Sequence, residues 1–470
     1  MPTSSDIKTV IRMAASSGLE VHGLKADVKE AHRQIPVAPV DWPKQACQLV
    51  AGGDVFLNKV GTFGISSAPY WWTRVGAAVL RLAHGILGGG RALTLLLFSD
   101  DWLALAYGAG YDDPFVILLL FFSAIRMPLS WTKVKTGEVL SWVGYEVNVK
   151  EFRLGISERR AAWLISWYDR VLGAGVVAMA ELQQALGRMV FVYGALSWDK
   201  PFLAGLFSFL HIHPIHRTVP LPPFVRLTIS WLRRKLKERR SQPCALRHHN
   251  LGQAFRVGAN AEGLDIGVGG WLPAIKEDGS IDKASSSWFA VTLDEQTAPW
   301  AFHRGLPFKT ISALELYGVT LGMIAFAVAA PEGEAARGSV LVTGLTDSRD
   351  ASLVFGRGAT SSFPLCLLAM EASAQMEARG LLLDLGRVPR EANVEADALS
   401  NLTFAGFTEE NRVPLDVAKI PFIVLPELLE TASGFFQEAA SRKAARRIEA
   451  APEPQLKIPK SASLRVREPW

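Results

Sequence analysis

The stretch Leu95-Leu-Leu-Phe-Ser-Asp-Asp-Trp-Leu-Ala-Leu-Ala106 places two adjacent carboxylates, Asp100 and Asp101, inside a run that is otherwise almost entirely apolar. The two apolar halves are typical of buried β-strands, and the Ser-Asp-Asp between them predicts a tight turn. Ionised carboxylates are rarely carried into a core unless they are paired or bound to a cation. Mg²⁺ on paired carboxylates is a common arrangement for phosphoryl transfer. An isolated Asp-Asp is more often a solvated turn, so its interpretation depends on the segments upstream.

Two upstream segments change that interpretation. A short strand is predicted to end at Asp27, and a turn or helix start follows; alone, this residue would be an ordinary helix-capping acid. Farther along, Gly61-Thr-Phe-Gly-Ile-Ser-Ser-Ala-Pro69 forms a loop that opens a predicted helix from Tyr70 to Leu82. The three segments in this order are much more specific than any one of them.

In the order Asp-x-x-x-Ala, Phe-Gly-x-x-x-Ala-Pro and aromatic-x-Asp-Asp, the sequence resembles the palm of reverse transcriptases, in particular those of LTR-type and DIRS-type retrotransposons. The resemblance covers roughly residues 10 to 400. It continues in a lysine-bearing segment, a primer-grip strand and a thumb helix, which correspond to Leu129–Lys135, Ser141–Glu146 and Glu181–Arg188.

The resemblance implies an α+β fold, with a right-hand polymerase palm and a helical thumb followed by an RNase H-like α/β domain. The predicted boundaries are a palm with partial fingers over 1–150, thumb helices over 151–210, a basic connection over 211–250, the RNase H-like domain over 251–405, a short extension with an apolar strand at 420–425 over 406–438, and a basic disordered tail over 439–470. Few residues precede Asp27, where the family places its fingers, so the chain is expected to be N-terminally truncated.

Carried over to this chain, the resemblance makes Asp27, Asp100 and Asp101 the catalytic carboxylates. The first two would hold two Mg²⁺ ions, with Mn²⁺ as an alternative, and the third would support them. Lys133 would donate a proton to pyrophosphate, unless it is an ordinary surface lysine. Template and incoming nucleotide would contact His32, Phe63, Gly64, Pro69 and Phe98.

Two of these positions depart from the family pattern. His32 stands where an aromatic residue usually excludes the ribose 2′-hydroxyl, and Phe98 replaces the usual tyrosine before the two acids. The sequence therefore leaves discrimination against ribonucleotides in doubt.

A second set of motifs resembles the RNase H domain of the same elements. Glu315, Asp347 and Asp397 correspond to three of its four metal-binding acids, and a tract from Arg390 to Ser400 carries the most specific match. The fourth acid should lie on the first strand, where the sequence has Gly258 or Asn260. Glu262 or Asp265 could replace it only through a register slip, which would face the side chain the wrong way. The domain is therefore expected to hold an RNA–DNA hybrid but to cut it poorly.

Composition and charge set the remaining limits. The chain has 470 residues, 49% of them hydrophobic, which predicts two to four folded domains. No run reaches the ~18 uncharged apolar residues that span a bilayer, so no membrane partner is expected. Three scattered cysteines indicate a reducing, intracellular compartment, the cytoplasm or the nucleus. The sequence predicts no oligomeric state.

The net charge of +5 is unevenly distributed. A basic helix is predicted over 230–240, and a basic surplus lies in the last thirty-odd residues. Phosphate backbones attract such stripes, although a charge run is commonly a solvated helix face. The candidate nucleic-acid contacts are Arg233, Arg234, Lys235 and Lys237.

Three functions follow from these observations. The first is an RNA-directed DNA polymerase that acts on an RNA template, a DNA primer and dNTPs. The second is a non-catalytic nucleic-acid-binding remnant of a decayed element, which the missing fingers and the missing acid favour. The third, a host enzyme with an unrelated Asp-Asp site, requires the matching segments to coincide by chance.

Overall fold

The computed structural model describes residues 1–62, 64–65, 67–87, 93–248, 254–326 and 339–449. The helices are α1 Ser4–Ser16, α2 Ser67–Ile86, α3 Asp112–Ala124, α4 Glu158–Ala174, α5 Met179–Ala195, α6 Leu203–His211, α7 Pro223–Glu238, α8 Ile311–Ala325, α9 Arg349–Arg357, α10 Leu365–Ala378, α11 Val394–Ser400 and α12 Leu425–Glu449.

The strands are β1 Val21–Asp27, β2 Ala46–Gln48, β3 Val55–Leu57, β4 Leu93–Phe98, β5 Asp101–Tyr107, β6 Lys135–Gly137, β7 Val139–Trp142, β8 Tyr145–Asn148, β9 Arg153–Ile156, β10 Val176–Ala178, β11 Thr218–Pro220, β12 Ser241–Pro243, β13 Leu246–His248, β14 Phe255–Glu262, β15 Asp265–Ile275, β16 Ile281–Leu293, β17 Ser339–Thr346 and β18 Leu381–Arg387. The chain is thus of mixed α+β class.

The first sheet has four strands in the order β4-β5-β1-β6. Because side chains alternate between the faces of a strand, one face presents Leu24, Ala26, Trp102 and Ala104, all fully buried. These residues form a hydrophobic core with α2 and α3. The other face carries the acids at the end of the sheet where β1 stops and β5 begins.

The second sheet has the order β12-β9-β8-β7 and packs with the helices that follow it. The helices predicted in 151–210 are confirmed, and α4 begins directly after Ser157. The segment 141–146, predicted as one strand, is instead the turn of a hairpin, because Val143 and Gly144 both take positive φ angles between β7 and β8.

The predicted basic connection is part of the folded body. Helix α7 packs against α4, α6 and α12. At its end, Arg239 forms ion pairs with Asp199 and Glu377, at 2.7 and 2.8 Å. Both carboxylates are largely buried, so this segment ties the helical region to α10.

The third sheet is mixed and has six strands. Strands β14, β15 and β16 form an antiparallel meander, and β17 runs parallel to β13, β14 and β18. Helix α8 packs on one face, where Gly318 and Gly322 face Val268 and Phe255. Helix α11 packs on the other face.

The predictions for the C-terminal region are wrong in two places. Residues 420–425 do not form a strand, because the chain bends there and α12 begins at Leu425. The buried Glu371 carboxylate accepts hydrogen bonds from the main-chain N–H groups of Ile423, Val424 and Leu425, which fixes this helix start. The helix runs to Glu449, so the predicted disorder is wrong for 439–449; residues 450–470 lie outside the described residues.

No helix in the described part of the chain combines the length and apolar character needed to cross a bilayer.

Candidate active site

Asp27 and Asp101 face each other at the end of the first sheet. The antiparallel register of β1 and β5 pairs them directly, and on its other side Asp101 pairs with Phe98 of β4. Directly opposite residues in an antiparallel pair point to the same face of the sheet. The register therefore brings together two carboxylates that are more than seventy residues apart in the sequence.

Hydrogen bonds from α2 and from the residue after β1 hold the turn between β4 and β5 in place. Ser99 takes a φ of 56°, which closes the hairpin through the left-handed region. Its carbonyl accepts a hydrogen bond from the indole N–H of Trp72 on α2, at 3.0 Å. The carbonyl of Asp100 accepts one from the N–H of Val28, also at 3.0 Å. The main chain of Asp100 therefore lies beside the end of β1, and the metal-binding role of its carboxylate stays a prediction.

Two lysines balance the charge of these acids. The Nζ of Lys133 lies 3.0 Å from Oδ1 of Asp27, whose side chain is 12% exposed. The Nζ of Lys25 lies 3.8 Å from Oδ1 of Asp101. Lys133 itself is well exposed to solvent, so it can reorient when a substrate enters.

The carboxylates perturb one another. Burial raises the pKa of Asp101, the Lys25 ammonium opposes this, and the neighbouring charges of Asp27 and Asp100 raise it further. The hydrogen bond to Asp27 and the charge of that carboxylate raise the pKa of Lys133. Both shifts are typical of a site that concentrates negative charge and favours a cation.

The donor set fits Mg²⁺ in its chemistry, since carboxylate oxygens are its usual ligands and two carboxylates, those of Asp27 and Asp101, face each other here. Within the described residues, however, no group of three or more His, Cys, Asp or Glu side chains is arranged as a ready metal cluster. The two ion pairs account for this, because Asp27 and Asp101 are each directed at an ammonium group. A divalent cation would have to displace these contacts.

The predicted nucleotide-contacting residues are only partly brought to this site. His32 lies in a 3₁₀ helix, Ala31–Gln34, and its carbonyl oxygen would be 2.4 Å from a Cβ added to Gly61. The loop before α2 therefore packs directly on this helix. Gly64 is exposed with a φ of 90°, and Pro69 lies in the first turn of α2. Phe98 is adjacent to Asp101, and Phe63 lies outside the described residues.

The four basic residues predicted to contact nucleic acid lie on α7, and most of them have acidic partners within the protein. Arg233 and Lys237 both pair with Asp169 of α4. Lys235 pairs with Glu377 at 3.2 Å, and Arg234 stacks on the ring of Trp231. Arg233, Lys235 and Lys237 therefore link α7 to neighbouring helices through ion pairs. A contact between any of the four residues and nucleic acid stays a prediction.

The second acid group lies at the third sheet. Glu315 is 4% exposed, and its two carboxyl oxygens accept hydrogen bonds from the N–H of Ala259 and the hydroxyl of Thr346. Burial, followed by the charge of Asp347, raises the pKa of Glu315 to about 8. Asp397 is paired with Arg390 at 3.0 Å, and all three acids contribute to raising the pKa of that arginine. The three predicted acids therefore do converge.

At Gly258, the first of the two candidate positions for the missing fourth acid, the main chain of α11 packs closely against the strand. A Cβ added to Gly258 would lie 3.0 Å from the carbonyl oxygen of Ala396, at the start of α11. On the neighbouring strand, Gly267 and Gly269 leave even less room beneath the same helix. Glycines thus allow α11 to pack closely on the sheet, and a side chain at Gly258 would require the main chain of α11 to shift.

Glu262 and Asp265, the two acids that could substitute for the missing one, do not lie at the second acid group. Glu262 and Asp265 pair with each other at the exposed end of the β14–β15 hairpin. Asn260, the other candidate position of the missing acid, donates a hydrogen bond to the side chain of Asn401 at 2.7 Å. The register is not slipped, so neither acid replaces the missing one.

Two residues at the first site were not singled out from the sequence. Lys25 precedes Asp27 by two positions on one strand, and this spacing places both on one face of the sheet. The two-residue spacing on a predicted strand was therefore enough to place Lys25 at the site from the sequence. Trp72 gave no comparable signal, because a buried aromatic on a helix is ordinarily a core residue, and only the fold brings its indole to Ser99.

Comparison with known proteins gives a sparse result. No protein-family model matches the chain, and no curated protein matches it. Among solved structures, a foamy viral protease-reverse transcriptase in complex with an RNA/DNA hybrid is similar over 78% of this chain and 44% of its own, with a TM-score of 0.37 and 10% identity. Telomerase from Candida albicans, in complex with a fragment of telomeric RNA, is similar over 36% of this chain and 38% of its own, with a TM-score of 0.29 and 13% identity. The chain spans less than half the length of either protein.

Proposed function

We propose that the chain is an RNA-directed DNA polymerase of retrotransposon type, which extends a DNA primer on an RNA template with dNTPs. The observation that carries this proposal is the direct pairing of Asp27 with Asp101, beside a turn that fixes Asp100. Carboxylates gathered at a strand end are costly to bury unless their charge is neutralised, and Lys25 and Lys133 supply part of that charge. Binding of a divalent cation would neutralise them further and would recruit a phosphate.

Asp27, Asp100 and Asp101 would hold the divalent cations, which when bound acidify the primer 3′-hydroxyl and neutralise charge on the triphosphate. The chain's own residues then have distinct tasks. Lys25 keeps Asp101 ionised against the charge of its neighbours. Lys133, once released from Asp27, is placed to donate a proton to the leaving pyrophosphate. The 3₁₀ helix around His32 and the loop at Gly64 would flank the incoming nucleotide.

Primer extension on a poly-RNA template with Mg²⁺ tests this proposal, with the full chain and an annealed DNA primer. We expect the wild type to extend the primer and Asp100→Asn to lose extension by at least a thousandfold. Asp54→Asn, which removes one carboxylate from an exposed loop, serves as the charge-matched control and should retain activity. Hybrid binding is measured in parallel for every variant.

One result would overturn the catalytic role. If the wild type extends no better than Asp100→Asn while both bind the hybrid, the chain is a nucleic-acid-binding remnant without polymerase activity.

For the second acid group we propose a hybrid-holding role without efficient cleavage. The support is the absence of a carboxylate at Gly258, where α11 packs so closely that an acidic side chain would have to displace its main chain. Two of the other three acids also have partners within the chain, because the Glu315 carboxyl accepts hydrogen bonds from Ala259 and Thr346 and Asp397 is paired with Arg390. With the fourth acid missing, the remaining carboxylates are too few for efficient two-metal cleavage.

Incubation of the full chain with a labelled RNA–DNA hybrid and Mg²⁺ tests this second role. We expect binding and at most trace cleavage that Asp397→Asn does not change. Robust cleavage that Asp397→Asn abolishes would show that the three acids suffice.

A further inference from the structure

A cavity of about 320 Å³ lies where three parts of the chain meet: helix α1, the 3₁₀ helix Ser197–Phe202, and the region of α9 and β18. It is separate from both acid groups. Its rim includes the exposed Arg357, and its interior reaches Lys8. The described residues that line it include four cationic side chains, Lys8, Arg12, Lys200 and Arg357, and no carboxylate.

Lys8 is the most informative of these residues. It is 7% exposed, and its Nζ donates a hydrogen bond to the hydroxyl of Ser197 at 3.0 Å. Among the described residues, no carboxylate lies within ion-pair distance of it. A buried ammonium without a counter-charge is costly, and lysines are almost never fully buried unless paired. A counter-ion from outside the chain would remove this cost.

The other cations reinforce the positive charge. The Nε of Arg12 donates to the carbonyl of Cys244 at 3.3 Å, and the Nζ of Lys200 donates to the carbonyl of Arg357 at 2.7 Å. None of the three, Arg357 included, has an acidic partner among the described residues. Arg239, which lies nearby, differs from these cations because it has two carboxylate partners. The chain thus supplies carboxylates to the largely buried Arg239 and none to the buried Lys8 nearby.

We propose that this cavity binds a small phosphate-bearing anion. Four cations around one cavity match a multivalent anion better than a single carboxylate, and the hydroxyl of Ser197 adds a polar contact to phosphate oxygens. The volume lies at the lower end of small-ligand pockets, which suits pyrophosphate or a terminal phosphate of a short oligonucleotide. The proposal rests on residues outside the acid site and does not depend on polymerase activity.

The site should take up protons when it binds. Burial is the main cause that lowers the pKa of Lys8 to about 8; Cys244 opposes this shift, and the charges of Arg12, Lys200 and Arg239 add to it. Arg357 adds positive charge from the rim, and burial raises the pKa of the Cys244 thiol, which disfavours its negatively charged form. An anion in the cavity favours the ammonium form and raises the pKa of Lys8. Binding near pH 8 is therefore coupled to proton uptake.

Isothermal titration calorimetry on the full chain tests the proposal, with sodium pyrophosphate as the probe and EDTA present to keep cations from the acid site. The matched variants are Lys8→Met and Lys276→Gln, the latter an exposed lysine on the β15–β16 hairpin. We expect wild type and Lys276→Gln to bind equally and Lys8→Met to bind at least tenfold more weakly. The unliganded melting temperature of Lys8→Met should not fall, because an apolar side chain replaces a buried charge.

A second variant, a second ligand and a change of buffer extend this experiment. Lys200→Gln changes a partly exposed cation and should weaken binding severalfold even if the Lys8 variant is misfolded. A 5′-phosphorylated dinucleotide, compared with its dephosphorylated form, distinguishes a nucleic-acid end from free pyrophosphate as the source of the phosphate. Repeating the titration at pH 8 in buffers of different ionisation enthalpy measures proton uptake, which Lys8→Met should abolish.

The proposal fails if neither probe binds the wild type, or if both lysine variants bind as tightly as the wild type does. Since no magnesium and no primer are present, this failure would leave the polymerase proposal untouched.

Discussion

The Nζ of Lys133 contacts Oδ1 of Asp27 at 3.0 Å, across 106 residues of sequence. This pair joins the candidate proton donor to a candidate metal ligand, so each holds the other in place before substrate arrives. We expect Lys133→Gln to lower kcat at least tenfold with little change in KM, because the lost group acts on the leaving pyrophosphate. Single-nucleotide incorporation kinetics measure both constants. Lys133→Arg, which keeps the charge, should lose less; equal kcat in all three proteins would exclude a role for this lysine.

Lys25 should set the acid limb of the pH–activity profile. Burial and the adjacent carboxylates raise the pKa of Asp101, and the Lys25 ammonium holds it down. Lys25→Met removes that opposing charge, so the pKa of Asp101 rises and a higher pH is needed to ionise it. We expect the acid limb of primer extension to move to higher pH. Lys29→Met, at an exposed position just beyond β1, is the control and should leave the acid limb of the pH–activity profile unchanged. An unchanged acid limb in Lys25→Met would show that Lys25 does not hold down the pKa of Asp101.

Glu315 should make the protein less stable as the pH rises from about 4.5 to about 8. Its folded pKa is raised to about 8, so in this window the folded chain keeps a proton that the unfolded chain releases. The folded state binds more protons, and the free energy of unfolding therefore falls with pH, by roughly 3 to 5 kcal/mol over the window. Glu315→Gln should show no such fall.

Urea unfolding at several pH values measures this difference. Glu262→Gln, on the exposed hairpin end, is the control and should behave as the wild type. A wild type and Glu315→Gln with parallel pH profiles would show that Glu315 is ionised when folded.

A side chain at Gly258 should destabilise the protein. A Cβ there lies 3.0 Å from the Ala396 carbonyl oxygen, and main chain yields less readily than a flexible side chain. We expect Gly258→Ala to cost about 1 to 3 kcal/mol, and Gly258→Asp to cost more without creating hybrid cleavage. Gly85→Ala, on α2 with open space around it, should be neutral or slightly stabilising. Cleavage gained by Gly258→Asp would mean that α11 can move aside.

The buried Glu371 carboxylate should be essential for α12. It accepts hydrogen bonds from three consecutive main-chain N–H groups and from the side chain of Gln375. In Glu371→Gln, an amide group faces these donors, so we expect a loss of roughly 2 to 4 kcal/mol and faster hydrogen exchange through α12. Glu427→Gln, exposed in the first turn of α12, should change little. Unchanged exchange in Glu371→Gln would show that packing alone fixes the helix.

The failures of sequence interpretation in the C-terminal region have a common cause. An apolar run such as 420–425 has the same composition whether it is a strand or the entry to a helix. The deciding contact is the Glu371 carboxylate, more than fifty residues earlier in the chain. Likewise, α12 continues through an alanine-rich, basic segment whose composition alone indicated disorder. Both decisions depend on long-range contacts that local pattern does not contain.

The sequence by itself predicted that Asp27 lies beside the Asp100-Asp101 turn, because a strand that ends in one acid and a hairpin whose turn carries two acids can meet at one end of a sheet, and the register of β1 and β5 pairs Asp27 with Asp101. Period-two alternation then fixed which side chains share a face, Lys25 included. Only the tertiary structure decided that α11 closes the second site over Gly258, and that cations from positions 8, 12, 200 and 357 surround one cavity. These features arise where segments that are distant in the sequence pack closely together. The spacing of residues within one segment does not predict which distant segment will contact it.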